Sequence, residues 1–350
     1  MTTAMRVAIV TDAWHPQVNG VVRTMTEMRR ELIAAGHEIT MITPEQFRTI
    51  SCPTYPEIRL SLGFPGTVGR MIEACRPDAV HISTEGPLGW AARQHCLKVG
   101  RRFTTAYHTR FPEYVQARFR IPLSWTYAIV RRFHAPAEVT MVPTRSMIAD
   151  LQARDFPHLA LWSRGVDTEM FTPDGPGAFA KDERRPVFLY VGRVAVEKNI
   201  EAFLELDLPG TKWVVGDGPG LAGLRQKYPG VRWAGIMSQP DLARHYRDAD
   251  VFVFPSLTDT FGLVLLEALA CGTPVAAYPI TGPLEVIGDS PAGALDADLR
   301  QACLRALELS RADARARAEE FSWAAAARQF AQNLRPTAVT KSEPLAAAAP

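Results

Sequence analysis

Two carboxylates eight positions apart, Asp259 and Glu267, are the residues of this chain best placed to do chemistry. Asp259 lies in a polar turn, P-S-L-T-D-T-F-G, and Glu267 stands alone inside L-V-L-L-E-A-L-A-C, a run that is apolar on nearly every face. A helix without a wide polar stripe is buried, and a buried Glu is rare unless something pairs with it. Read as a helix over 261–271, eight residues rise about 12 Å. That is roughly the span from the sugar of a nucleotide-sugar, across its diphosphate, to the ribose. The helix N-terminus between the two acids, opened by Thr260, Phe261, Gly262 and Leu263, has free N–H groups that attract anions. The layout suits an activated sugar. Two plainer roles stay open: Asp259 as a helix cap, and Glu267 as the partner of a basic core neighbour.

Cations and glycines stand elsewhere at strand ends. Arg193 and Lys198 follow the apolar run V-F-L-Y-V, where a guanidinium fork and an ammonium point charge can neutralise a diphosphate. Gly20, in H-P-Q-V-N-G-V-V, lets backbone come close to a ligand at the start of a helix; a plain tight turn is the alternative. His108 closes the strand F-T-T-A-Y, and Arg164 precedes G-V-D-T-E-M-F.

The segment P-S-x-x-D-T-F-G-L-V-L-L-E-A-L-A-C-G-T-P-V resembles the acidic signature of the family 4 retaining glycosyltransferases with the GT-B fold, and the resemblance runs from about residue 6 to about residue 334. The family more often has Glu at the first acidic position. Asp there is similar to a subgroup containing bacterial GDP-mannose-dependent mannosyltransferases and the sulfoquinovosyl- and glucosyl-diacylglycerol synthases. Y-H-T-x-F-P-E-Y around His108 resembles the lipid-modifying members, and Thr109 departs from the Asp of the broader family. Arg164 replaces the usual Asn, again as in the subgroup. The resemblance implies that Glu267 holds the ribose and Asp259 the sugar hydroxyls. It implies that Arg193 and Lys198 hold the diphosphate in place of a metal, and that His108 contacts the hexose. Gly20 lies in the family's N-terminal glycine loop and Gly216 in its G-D-G-P turn; Arg164 adds charge near the phosphates, and backbone around Met237 reads the base.

Two look-alike motifs are set aside. G-P-G-L-A-G over 218–223 matches the dinucleotide fingerprint G-x-G-x-x-G, yet V-R-W-A-G over 231–235 lacks the acid such a site needs about 20 residues on. Asp248-Ala249-Asp250 imitates a D-x-D metal motif but sits just before a core strand, where solvating a helix end is the expected job. No metal and no cofactor is assigned.

The chain of 350 residues is long enough for two cores. With 47% apolar and 22% charged residues it is of ordinary globular composition, and a net charge of +2 argues against nucleic acid as the main partner. Five scattered cysteines, none in C-x-x-C, point to reduced thiols in the cytoplasm. No secretory leader and no run of about 18 apolar residues is visible, so any membrane contact is peripheral, on the inner face of the cell membrane.

Apolar runs at 7–10, 39–42, 78–82, 103–107 and 139–142, alternating with helices, predict an α/β domain over 1–172 with a parallel sheet. A Pro/Gly-rich stretch over 172–186 reads as a linker. The alternation restarts over 186–320, with strands at 187–191, 213–215, 251–254 and 274–277. The fold expected is therefore GT-B: two Rossmann-like domains whose parallel sheets face a cleft. A last helix over 321–335 crosses back to the first domain, as in the family, and 336–350 forms a disordered tail. Residues 110–133 mix arginines with aromatics around a single acid, Glu113, which suits either an anionic membrane surface or a helix with core aromatics and solvated arginines. The resemblance to lipid glycosyltransferases favours the membrane.

The function expected is transfer of a hexose from a UDP- or GDP-sugar to a hydroxyl acceptor, such as the diacylglycerol of a membrane. The alternatives are a mannosyltransferase on a soluble or saccharide acceptor, a GT-B nucleotide-sugar epimerase, and an inactive binding module.

Overall fold

The computed structural model describes residues 4–17, 19–52 and 55–336, with their side chains apart from those at 52, 55–58, 117 and 118. Val18 of the glycine loop, the Arg118 side chain and the tail from 337 onward lie outside the described residues.

The first half runs β1 (Arg6–Val10), α1 (Gly20–Ala34), β2 (Glu38–Ile42), β3 (Thr49–Cys52), β4 (Tyr55–Ser61), α2 (Pro65–Ala74), β5 (Ala79–Ile82), α3 (Pro87–Lys98), β6 (Thr104–Ala106), α4 (Phe111–Phe119), α5 (Leu123–His134), β7 (Val139–Val142), α6 (Arg145–Gln152) and β8 (Leu159–Leu161). The second half runs β9 (Val187–Val191), α7 (Ile200–Leu204), β10 (Thr211–Val215), α8 (Leu221–Lys227), β11 (Arg232–Gly235), α9 (Gln239–Asp248), β12 (Val251–Phe254), α10 (Leu263–Ala270), β13 (Val275–Ala277), α11 (Thr281–Val286), β14 (Gly293–Leu295), α12 (Leu299–Ala306), α13 (Arg311–Glu319) and α14 (Trp323–Asn333).

Continuous apolar strands such as VTMV and VFVF are buried on both faces, as parallel strands covered by helices must be. The first sheet has the order β2-β1-β5-β6-β7-β8 and the second β11-β10-β9-β12-β13-β14, with every pairing parallel. In each sheet the chain first builds outward on one side of the opening strand and then returns to the other side. The order therefore reverses between β1 and β5, and between β9 and β12. Ligands of open parallel sheets gather beyond the carboxyl ends of the strands at such a reversal. Arg193 follows β9 and Asp259 follows β12, so topology alone brings them to one crevice.

The two halves are joined by two neighbouring crossings. Val166 donates its N–H to the carbonyl of Phe321 and bridges Ser322. A Cβ on Gly165 would lie 2.2 Å from the Trp323 nitrogen, so only glycine lets the crossings touch. Beyond them α14 packs on the first half, where Trp323, Phe330 and Ala331 join Val7, Met25, Met28 and Trp162 in one core.

The stretch over 172–186 is irregular and tied down. Asp248 accepts the N–H groups of Ala178 and Phe179 and bonds Arg185, while Asp250 accepts the N–H of Val187 and pairs with Arg185 at 3.0 Å. The D-x-D look-alike therefore anchors the linker, a correction to its expected role of solvating a helix end. Among the described residues Cys75, Cys96, Cys271 and Cys303 are free thiols, and no helix is long and apolar enough to cross a membrane.

Candidate active site

Helix α10 starts at Leu263, not at 261, because Gly262 takes a left-handed φ of +86°. Asp259 thus lies in a turn before the helix and caps nothing in it, and the eight residues from Asp259 to Glu267 are not all helical. What Asp259 does instead is pair with Lys198: Nζ stands 2.5 Å from Oδ1. Its Oδ2 is buried and has no hydrogen-bond partner among the described residues. Burial works against the Lys198 ammonium, yet Asp259 holds its pKa above the ordinary value. Tyr114 of α4 approaches the same turn from the first half; burial raises its phenol pKa, with Lys198 and Asp259 both close enough to act on it. The Tyr190 hydroxyl donates to the Arg193 carbonyl at 2.8 Å, which fixes the loop carrying both cations.

His108 sits just beyond β6 and faces the same turn across the cleft, where the Thr260 hydroxyl donates to its carbonyl at 2.7 Å. The Arg164 side chain is folded back into the first half. It is 4% exposed, its guanidinium carbon stands 4.2 Å from the centroid of the Trp162 ring, and Nη1 donates to the carbonyls of Trp162 and Ser163. Its Nη2 donates to His108 Nδ1 at 3.3 Å. That bond makes Nδ1 an acceptor, so the ring proton belongs on Nε2, which is buried and without a partner among the described residues. Burial pulls Arg164 down to about 9, still charged at neutral pH, and burial together with that charge pushes His108 well below 6.5. His108 is therefore neutral, with a buried Nε2–H that has no acceptor among the described residues.

This has a titration consequence. A group whose pKa is lowered from 6.5 keeps the same protonation state through neutrality, so no His108 proton is taken up between about pH 6 and 8. The ring Cε1–H resonance, assigned with His108→Asn, is expected to be flat over that range. A midpoint near 6.5 would mean that the Arg164 contact is absent in solution.

Glu267 is 3% exposed. Its Oε1 stands 2.5 Å from Arg23 Nη1 on α1, and its Oε2 accepts the Tyr246 hydroxyl at 3.1 Å. The basic neighbour is real, and it comes from the other half of the molecule. Around this pair, Leu263 packs against the cores of both halves, and Phe261 meets Phe321 edge-on beside the crossing. Gly20 opens α1 so close to α10 that a Cβ there would meet Leu263 Cδ1 at 3.8 Å, an ordinary contact. Asn19, just before it, caps α1 by accepting from the N–H groups of Val21 and Val22. Two helix N-termini therefore face one space.

Gly216 (φ +135°) follows β10; a Cβ there would sit 1.9 Å from the Gly192 carbonyl, so this turn and the Arg193 loop touch backbone to backbone. Its N–H donates to the Gly235 carbonyl at 2.8 Å, two residues before Met237, which packs on the second core. The structure thus pairs Lys198 with Asp259, joins Thr260 to His108 of the other half, and sets Leu263, one turn from Glu267, beside Gly20. Arg23 and Tyr246 were not singled out in the sequence, and Tyr114 was read only within the Y-H-T-x-F-P-E-Y motif and the aromatic stretch over 110–133. Among the described residues no three His, Cys, Asp or Glu side chains gather as metal ligands would.

Two parallel sheets, each with its strand order reversing where buried acids and cations gather, are the layout of a two-half α/β protein with a ligand crevice between the halves. Residues 18–170 match the model of Glycosyltransferase Family 4, and residues 185–309 that of Glycosyl transferases group 1. A GDP-mannose-dependent alpha-mannosyltransferase of Mycobacterium tuberculosis is 30% identical over 318 residues, covering 83% of each chain. An alpha-monoglucosyldiacylglycerol synthase of Streptococcus pneumoniae is 28% identical, covering 87% of this chain and 78% of that protein. The fold matches that of sucrose-phosphate synthase from Thermosynechococcus elongatus, with a TM-score of 0.73 at 23% identity over 93% of this chain and 97% of that one. Anabaena HepE, solved with UDP-glucose, gives 0.67 at 14% identity over 94% and 98%. The chain belongs to the family 4 glycosyltransferases and has their GT-B fold.

Proposed function

We propose that the protein is a retaining hexosyltransferase that moves a sugar from a UDP- or GDP-sugar to a hydroxyl of a membrane glycerolipid without a metal ion. The observation that carries this reading is the largely buried Lys198–Asp259 pair beside Thr260, whose hydroxyl bonds the His108 carbonyl of the other half. Lys198 and Arg193 stabilise the departing diphosphate, whose charge grows as the glycosidic bond breaks, and fixed charge in a water-poor site acts most strongly there. The free Oδ2 of Asp259 accepts from a hexose hydroxyl, and the Nε2–H of His108 donates to another hexose oxygen. Glu267 holds the ribose, the Gly216 turn and the backbone near Met237 hold the base, and Gly20 lies at the phosphates. Front-face attack by the acceptor hydroxyl, whose proton passes to the departing diphosphate oxygen on the same face as the C1–O bond breaks, then retains the anomeric configuration.

The lipid acceptor is supported by the glucosyldiacylglycerol synthase relative and by the surface of the first half. Tyr127 and Phe133 of α5 are buried, whereas Trp125 and Ile129 are 69% and 59% exposed on the opposite face. Arg120, Arg131 and Arg132 are exposed around them, and Phe111 and Phe119 bracket the neighbouring α4. An exposed Trp among arginines suits an anionic headgroup layer. The protein then works from the cytoplasmic face.

A donor-by-acceptor screen read by mass spectrometry tests the function: hexosylated diacylglycerol is the expected product, formed in excess EDTA. Transfer only to soluble saccharides removes the lipid, and turnover that needs Mg²⁺ or Mn²⁺ removes the role given to Arg193 and Lys198. For the membrane face, Trp125→Ser/Arg131→Glu/Arg132→Glu is expected to lower affinity for anionic vesicles by about a hundredfold or more at low salt. Equal co-sedimentation of variant and wild type would contradict it.

A further inference from the structure

A carboxylate has two oxygens and about four lone-pair directions. In Glu267 one direction on Oε1 is taken by Arg23 Nη1 and one on Oε2 by the Tyr246 hydroxyl. One acceptor direction remains on each oxygen, side by side, and that is the pattern two adjacent hydroxyls read. Both partners are themselves held. The Arg23 guanidinium lies over the Phe171 ring, 5.1 Å from its centroid. Tyr246 is fully buried and meets Phe171 and Phe252 edge-on, so its hydroxyl cannot swing away. The pairing is also placed across the cleft. Arg23 is one turn into α1 from Gly20, Glu267 is one turn into α10 from Leu263, and Gly20 and Leu263 touch above them.

We propose that Arg23 and Tyr246 are positioning residues that aim Glu267 at the vicinal diol of the nucleotide ribose and so set discrimination between ribo- and 2′-deoxyribonucleotides. This rests on the reading that Glu267 holds the ribose. A carboxylate anchored on one oxygen only, or on neither, rotates about its last bonds and meets one hydroxyl as well as two. Arg23 comes from the first half and Glu267 from the second, so the aim is complete only when the halves are closed on each other.

Calorimetry with UDP, GDP and their 2′-deoxy counterparts tests this on wild type, Glu267→Ala, Arg23→Gln, Arg23→Lys and Tyr246→Phe. Wild type is expected to prefer the ribonucleotide by about tenfold or more, since a site built to bond a hydroxyl is left with an unpaired group when that hydroxyl is missing. In Arg23→Gln and Tyr246→Phe the ratio is expected to fall toward unity, and Arg23→Lys keeps part of it. A merely structural role would weaken both nucleotides equally and leave the ratio intact; that result overturns the inference. If Arg23→Gln does not fold, Tyr246→Phe, which removes one hydroxyl, decides the matter alone. No ribose preference in wild type, or an unchanged preference in Glu267→Ala, removes the ribose reading itself and is told apart from the first failure by those two proteins.

Discussion

Replacing Glu267 by alanine is expected to abolish measurable transfer and to weaken nucleoside diphosphate binding by about a hundredfold. The carboxylate is the lone acid of an apolar helix, and its loss removes both ribose acceptors at once. It also strands Arg23, whose side chain is 17% exposed, and a partly buried cation without its partner costs about 2 kcal/mol of stability. Glu267→Gln keeps an acceptor for Arg23 and is expected to fold with little loss, yet to bind nucleotide poorly. Wild-type affinity in the alanine variant, measured by calorimetry, would sink the ribose role.

The second large effect is expected at Lys198. Lys198→Met keeps the length of the side chain and removes the charge, and kcat is expected to fall by about a thousandfold, the scale of losing one preorganised group at a developing anion. Asp259 is then left without its ion-pair partner in a half-buried turn, so the variant should melt earlier than wild type as well. Asp259→Asn/Lys198→Met separates the two effects, because a neutral pair restores stability without restoring the charge on the leaving group. A Lys198→Met enzyme that keeps most of its kcat would place the diphosphate elsewhere.

Glu267 stood out in the sequence because a lone acid inside an apolar run is conspicuous, and Asp259 because it lies eight positions earlier within the same family-like motif. The partners of Glu267 did not. Arg23 is 244 positions from Glu267 and looks like one more charge on an amphipathic helix, and Tyr246 is an ordinary aromatic on the buried side of α9. Contacts between distant segments leave no local pattern. Arg164 shows the same limit: its charge was visible, but the Trp162 ring under it and the His108 nitrogen it bonds come from the fold.

Strands with continuous apolar runs, such as 139–142, were placed to the residue, because burial on both faces writes itself into every position. The edge strand β8 was missed; three half-buried residues carry too little apolar signal. The helix start at Leu263 was placed two residues early because the left-handed Gly262 that breaks the run is one glycine among many in the sequence. Asp248 and Asp250 were assigned to a helix end because the linker they hold, some 70 residues earlier, was read as free chain.

The most direct measurement is the anomeric configuration of the product, followed by proton NMR as an α-configured UDP- or GDP-hexose is consumed in the presence of anionic vesicles, diacylglycerol and excess EDTA. An α-linked glycolipid, formed from the first turnover and unaffected by the chelator, is the expected result. A β-linked product, an epimerised or hydrolysed donor with no acceptor modified, or turnover that stops until Mg²⁺ or Mn²⁺ is added would contradict it.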